Sequence, residues 1–508
     1  MYWNKIATTP KEFDAIAELN YETFVEEIPQ HTPNEARRLI DKFHDENVYL
    51  VVYKKTEIVG MVAFRDVRPF SIDQKLGSVE QFLDAALCEF LCEIRLLAVK
   101  KEHRNGRVFA MLTSSIYRYA YDKGYTACVI SGTVREEKLY TQMGFQQFGS
   151  PVGTEDALYL PMVLTREASR VFRERLRERN RIFYPGPVGL ASPFVHSTLS
   201  HRSEKFQQEF QEMKQQLVEL AQTNVVIALV GTGTLANDAM LGQLKSEFVN
   251  EKGLVLINGE FGHRMKAQAE QWGLQIDALD FGYGQMFDYK QIEQRLQTEN
   301  YSYILFVHGE TSNSTLNSIE PLTVLANRYN IKLCADCISS FGALPFSMKD
   351  LHYATAVSGK SIGTIAGLSF IFCKEAPTTS TAPLYLNLPY YMNKTIPFTL
   401  PHDFIQAVND ALKAYPARYA LLESRMEQVK NSRFAPFLLG NTYPMIATIT
   451  HEKMDKIVET CALNGLLLHS ASDYLKQNNH AQISTIQPGF EKDFKKLNEL
   501  FSYLTDTL

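Results

Sequence analysis

The strongest constraint on this chain is an alternation that begins near Asn224: short, nearly continuous apolar runs, each followed by a stretch with helical spacing. "NVVIALVG" precedes "TLANDAMLGQLKSEF", "GLVLING" precedes "GHRMKAQAEQWG", "YSYILFVHGE" precedes "IEPLTVLANRYN", and "IKLCADCISSFG" follows. Apolar strands buried on both faces and joined by helices are satisfied by crossover units around a mostly parallel sheet. Ligands of such sheets bind beyond the carboxyl ends of the strands. There the glycines and polar residues collect, in "GTGTLAND", "NGEFGHR", "HGETSNST" and "ADCISSFG".

The first third of the chain has a different texture. "VYLVVYKK" and "IVGMVAFRDV" read as a hairpin, "CEIRLLAVKK" as a further strand, and "RVFAMLTSSIYRYAYDKG" as a helix with Val108, Phe109, Leu112, Ile116 and Tyr119 on one face and Gly124 as its stop. "TACVISGT" adds a strand and "EEKLYTQMGF" a short helix, so the order is mixed α/β. Between the two textures lies "REASRVFRERLRERNR", with seven arginines against three glutamates. It reads as a solvated linker helix with i,i+4 ion pairs, the sharper reading being a docking surface for an acidic ligand. A chain of 508 residues exceeds one core, and the expected division is 1–165, a linker helix 166–181, a large domain 182–400 and a C-terminal domain 401–508.

Composition narrows the function. A net charge of −5 gives no reason to expect nucleic acid, and no long uncharged apolar run suggests a membrane span. Seven scattered cysteines form no metal spacing, and the first residues lack a secretory layout. The expectation is a cytoplasmic protein acting on small molecules, without a metal.

One lysine stands out chemically. "AVSGKSIGTIAGLSF" holds Lys360 and no other charge. An ammonium taken out of water without a partner costs several kcal/mol or loses its proton, and a lysine spared that cost is usually one that has reacted. Asp336 ends an apolar strand upstream, where a carboxylate keeps its charge only against a cation. Thr232, Gly233 and Thr234 lie between a strand and a helix N-terminus, where free N–H groups and a hydroxyl suit a dianionic phosphate. Phe261 offers a flat apolar face.

In this order the motifs resemble the class V aminotransferases of the fold-type I pyridoxal phosphate enzymes, from about Arg181 to the C-terminus. "FYPGPV", "HGETSNSTLNSIEPL" and "DCISSFGALPF" look most like 2-aminoethylphosphonate–pyruvate aminotransferase, with alanine– and serine–glyoxylate aminotransferases close behind. The resemblance implies a large domain with a mostly parallel sheet, a smaller C-terminal α+β domain, and transfer of an amino group between a small amine or amino acid and a 2-oxo acid. It also implies that Lys360 holds the pyridoxal phosphate aldehyde as an imine, Asp336 faces the pyridine nitrogen, Phe261 stacks on the ring and Thr232, Gly233 and Thr234 hold the phosphate. Thr311 and Ser312 match residues that contact the ring oxygen and substrate, while His308 and Glu310 read as structural. Thr395 matches a residue that reaches the partner's phosphate, which implies a homodimer.

Residues 1–165 resemble the GCN5-related N-acetyltransferases, which use acetyl or another acyl coenzyme A. The loop "KKEHRNGRVFA", with Arg104 and Gly106, stands where that family grips the pyrophosphate. Tyr140 matches the acid that protonates the leaving thiolate, and Glu93 a base for the amine.

Three departures accompany these matches. Neither alignment of the coenzyme loop places both glycines. Gln482, in "AQISTIQPG", replaces the arginine that clamps a substrate carboxylate, so the expectation is either that another arginine such as Arg264 or Arg202 serves or that one substrate carries a different group. Gly359 replaces the glutamine or asparagine before the lysine. Cysteine desulfurases carry histidine there, and Cys334, Cys337 and Cys373 lie in apolar runs, which argues against desulfuration. The competing reading is a protein that binds pyridoxal phosphate and uses a degenerate acetyltransferase domain as a scaffold or regulator.

Overall fold

The computed structural model describes residues 1–154, 157–189, 196–394 and 396–507. These form two compact units: Met1–Arg181 with Asp455–Leu467 and Ser502–Leu508, and Ile182–Met454 with Leu468–Phe501. Among them no helix is long and apolar enough to cross a membrane, and no group of His, Cys, Asp or Glu could hold a metal ion.

The first unit is built on an eight-stranded sheet in the order Tyr2–Ile6, Val48–Lys54, Glu57–Arg65, Leu91–Val99, Ala127–Thr133, Ala157–Thr165 and Gln146–Gln147, with Val152–Thr154 pairing Ala157–Thr165. Neighbours are antiparallel except Leu91–Val99 and Ala127–Thr133, which run parallel and pair only from Leu91 to Glu93. Past Glu93 they part. A bulge follows at Leu96 (φ 53°), where the chain advances from Arg95 to Ala98 opposite Ala63 and Met61. The helix Arg107–Asp122 buries Val108, Leu112 and Ile116 against Leu50, Val52 and Val62 of the sheet.

The arginine-rich stretch forms the helix Arg170–Glu178 and belongs to this unit rather than standing between units. Its Leu176 is buried in a cluster with Tyr117, and Phe172 lies 4.5 Å from the Tyr117 ring. Residues 455–467 and 502–508 also group here, unlike the undivided 401–508 domain expected. Asn464 closes a reciprocal pair with the Asn4 backbone, at 3.0 and 2.8 Å, and Tyr503 stacks on Trp3.

The second unit carries a seven-stranded sheet in the order Val225–Val230, Leu368–Cys373, Tyr353–Val357, Lys332–Asp336, Tyr303–Val307, Lys252–Ile257 and Gln275–Asp280. Only Leu368–Cys373 runs antiparallel to its neighbours. The helices Glu204–Ala221, Gly233–Glu247, Glu260–Gln271 and Ile319–Tyr329 bury apolar faces around it. A separate antiparallel sheet joins Leu438–Tyr443, Ile446–Thr450 and His480–Ser484. The strand expected through "CISSFG" stops at Asp336, whose Oδ1 accepts from Ile338 N at 2.9 Å while Phe341 N bonds back to Cys337 O.

Candidate functional site

Beyond the carboxyl ends of the second unit's strands, Lys360 and Asp336 come to one place. Lys360 lies in the turn after Tyr353–Val357. Its Nζ donates to Ser339 Oγ at 2.8 Å and sits 5.4 Å from the centroid of Phe261. Burial pushes the amine down to about 8, against the pull of Asp336 and Glu310. Ser339 is held in turn by Thr311 through paired hydroxyls.

Asp336 is buried, and burial pushes its carboxyl up. Its partners are neutral: Asn237 Nδ2 donates at 2.8 Å, and Thr355 Oγ1 fixes the other end of that amide by donating to Asn237 Oδ1 at 2.7 Å. Asn237 was not anticipated. Its one trace in the sequence is a polar residue on the buried stripe of Ala236, Asn237 and Met240.

The same helix starts at Gly233 with Thr232 as its cap residue and no side chain bonded to its first N–H groups. Thr232 and Thr234 are exposed there. This end of an N-terminal turn can accept an anion.

Phe261 is aimed by a buried carboxylate. Glu310 accepts from Gly262 N at 3.1 Å and, more weakly, Phe261 N at 3.4 Å, in the first turn of Glu260–Gln271. It also accepts from Ser312 N and Ser312 Oγ, the latter at 2.5 Å. Burial nevertheless pushes Glu310 up. A Cβ on Gly259 would lie 2.5 Å from Glu310 Cδ, so glycine is required for this approach. Ser312 Oγ, which also accepts from Glu260 N, therefore serves the helix start, whereas Thr311 lies beside Ser339. His308 is a packing residue, bonded to Ser340, stacked edgewise on Phe346 and pushed down to about 3 by burial.

The two departures in this unit have structural causes. Gln482 is buried and turns its amide nitrogen to the carbonyls of Thr311 (2.6 Å) and Ser312 (3.2 Å) and to Thr448 Oγ1. Gly359 packs on backbone: a Cβ there would stand 2.7 Å from Ala366 Cα. Arg264 stacks 4.7 Å from the Phe261 ring, is 44% exposed, and has only a loose 3.8 Å contact with Glu260. Its charge reaches both Lys360 and Asp336. Arg202 is exposed, with its backbone tied to Ser200. Cys334, Cys337 and Cys373 are buried, and burial raises all three thiols. Thr395 lies outside the described residues.

In the first unit the parting strands open a cavity of about 1440 Å³. Arg104, Gly106, Glu93 and Tyr140 all line it. Gly106 (φ 80°) begins the helix Arg107–Asp122 without a side-chain cap, and Arg104 donates to Val99 O and pairs with Glu27 at 2.7 Å. Burial raises the Tyr140 hydroxyl. Glu93, read as a base, already accepts from Ser71 N (2.8 Å), Ser71 Oγ (2.6 Å) and Ile72 N (3.0 Å), so it fixes the turn at residues 71–72.

Comparison with known proteins agrees with both units. Residues 191–388 match the family model for aminotransferase class-V, and residues 15–167 that for the N-acyl amino acid synthase FeeM. The second unit thus contains a stretch similar to the class V aminotransferases, and the first unit a stretch similar to an acyltransferase-type family. It is 35% identical over 174 residues to 2-aminoethylphosphonate–pyruvate transaminase of Klebsiella pneumoniae subsp. pneumoniae, a match covering 33% of this chain and 46% of that protein. With the transaminase of the same description from Pseudomonas fluorescens it shares 29% identity over 260 residues, 46% of this chain and 70% of the relative. Thus the chain spans about half the length of the first relative. The fold is that of an aspartate aminotransferase of subgroup IV from Thermus thermophilus (TM-score 0.56, 22% identity, 64% of this chain and 99% of that one). It is likewise that of the ureidoglycine–glyoxylate aminotransferase of Bacillus subtilis (TM-score 0.56, 17% identity, 64% and 93%).

Proposed function

We propose that the class V domain transfers an amino group between a small amine or amino acid, of the 2-aminoethylphosphonate, alanine or serine kind, and a 2-oxo acid such as pyruvate or glyoxylate, using pyridoxal phosphate bound at Lys360. The observation that carries this reading is the pairing of a desolvated amine at Lys360 with a buried carboxylate at Asp336 that has only neutral partners.

These residues fit that cofactor. Asp336, raised by burial and with no cation at bonding distance among the described residues, suits a protonated ring nitrogen. Phe261 supplies a ring face, the uncapped start of Gly233–Glu247 with Thr232 and Thr234 an anion seat, and Thr311 a hydroxyl near Lys360's partner Ser339. When bound, the cofactor supplies an electron sink. The chain supplies the rest. Lys360, at about 8, holds or releases a proton near neutrality, and Ser339 fixes its direction. Arg264, exposed beside Phe261, binds the substrate's acid group in place of the arginine that Gln482 has replaced.

In the same reading the first domain acylates an amine from an acyl coenzyme A. Arg104 and Gly106 lie at the coenzyme loop, Tyr140 serves as the acid, and Glu93 acts as a positioning residue. The protein works as a cytoplasmic homodimer, which light scattering checks. A half-reaction screen tests the transaminase: 2-aminoethylphosphonate, alanine and serine are offered singly, and conversion of the bound cofactor to its amine form is followed spectrally. Conversion with at least one amine is expected, and none with any amine contradicts the reading.

A further inference from the structure

The cavity of the first unit carries more positive charge than its own carboxylates answer. Arg95 is paired with Asp41 at 2.5 Å, and Arg104 with Glu27. Glu93 is occupied by its three donors at residues 71–72. Lys42 and Lys75, both exposed on the cavity wall, have no carboxylate within ion-pair distance among the described residues, although Lys42 Nζ donates to Gln74 Oε1. Arg166 and Arg173, which also line the wall, donate to the Gly124 and Arg166 carbonyls and lie over the Tyr121 ring. Lys75 Nζ lies 4.0 Å from the Tyr159 ring centroid, and Lys42 Nζ lies 4.9 Å from Phe43, whose ring also takes Arg95 at 4.9 Å. Aromatic faces attract cations without neutralising them. Burial lowers the pKa of Lys75, Glu93 pulls it back up, and Arg95 and Lys42 push it further down.

We propose that Lys42 and Lys75, backed by Arg95, form the binding site for the acid group of the acyl-accepting amine. This rests on the acyltransferase reading and narrows it to amines that carry a carboxylate or phosphonate. The arrangement orients such a substrate, because cations draw its acid group in and turn its ammonium away. They also disfavour the protonated amine, and the neutral form is the nucleophile. The nitrogen then attacks the thioester carbonyl. A C–N bond forms, the C–S bond breaks, and the proton shed by the nitrogen balances the one taken up by the departing thiolate.

The test uses the full chain carrying Lys360→Ala, so that the transaminase site contributes equally to every arm. Alanine, 2-aminoethylphosphonate, and their acid-free counterparts alaninamide and ethanolamine are titrated calorimetrically into this protein and into its Lys42→Gln/Lys75→Gln derivative. Melting curves check that both are folded. The expected result is that the double substitution weakens the acid-bearing amines about tenfold or more and leaves the acid-free ones unchanged. Loss for alanine alone assigns a carboxylate site, and loss for 2-aminoethylphosphonate alone a phosphonate site. Equal affinities in the two proteins overturn the proposal. Thiol release from acyl coenzyme A is measured on the same samples. Lysine-dependent binding without thiol release for any amine contradicts the acyltransferase reading and leaves the anion site standing. Should the substitutions instead raise KM for the acyl coenzyme A alone, the lysines serve the donor and the proposal falls.

Discussion

Asn237 donates to the Asp336 carboxylate at 2.8 Å, and no cation meets that carboxylate at bonding distance among the described residues. The site therefore holds a charge-demanding group against neutral donors, which stores an unfavourable interaction until a cation arrives.

The stability of the cofactor-free protein should register that cost. Asp336 has a folded-state pKa above its unfolded one. Its stabilising share is therefore complete below the ordinary carboxylate value of about 4 and is lost as pH rises through the raised value. Asp336→Asn keeps the shape and removes the charge. Stripped of cofactor, this variant should melt higher than wild type at neutral pH, by on the order of 1 kcal/mol, and the gap should close near pH ~4. Its affinity for pyridoxal phosphate should fall at least about tenfold. Calorimetric melting at several pH values checks both.

Lys360 has the opposite sign. It is neutral in the folded chain and protonated in the unfolded one between about 8 and the free lysine value of about 10.4, so its penalty is relieved as pH rises across that window. Attachment of pyridoxal phosphate requires the neutral amine. The rate of cofactor uptake by the stripped protein should rise with pH and level off above about 8. A midpoint near about 10 would mean an exposed lysine.

Glu310 links two segments through one carboxylate. Glu310→Ala strands the Ser312 hydroxyl and the amides of Phe261 and Gly262, and should cost about 2–3 kcal/mol in denaturant melts. Glu310→Gln keeps an acceptor and should cost less. Gly259→Ala should approach the Ala variant, because its methyl group meets Glu310.

For Arg264, the kinetic signature separates binding from chemistry. Arg264→Met keeps the stem over Phe261 and removes the charge. It should raise KM for acid-bearing amines about tenfold or more while changing kcat little. An unchanged KM removes Arg264 from substrate binding.

Local patterning made the strand and helix series legible, and the ordered motifs made Lys360, Asp336 and Phe261 stand out. What stayed hidden depends on contacts between distant segments. Asn237 and Asp336 are 99 positions apart, and Gln482 and Thr311 are 171 apart, so no spacing rule joins them. Gln482 read as a lost clamp because its sequence neighbours do not show that its amide nitrogen is bonded to the Thr311 and Ser312 carbonyls. Glu93 read as a base because strand position does not reveal three donors on residues 71 and 72. Asn464 and Tyr503 group with the first unit through partners near the N-terminus, a closure that patterning within residues 401–508 cannot express.

Covalent attachment at Lys360 is tested by borohydride reduction of the protein loaded with pyridoxal phosphate, followed by peptide mass mapping. One reduced pyridoxyl adduct is expected, on the peptide that contains Lys360, and it should be lost in Lys360→Ala. An adduct on another lysine, or none after full loading, would contradict that attachment.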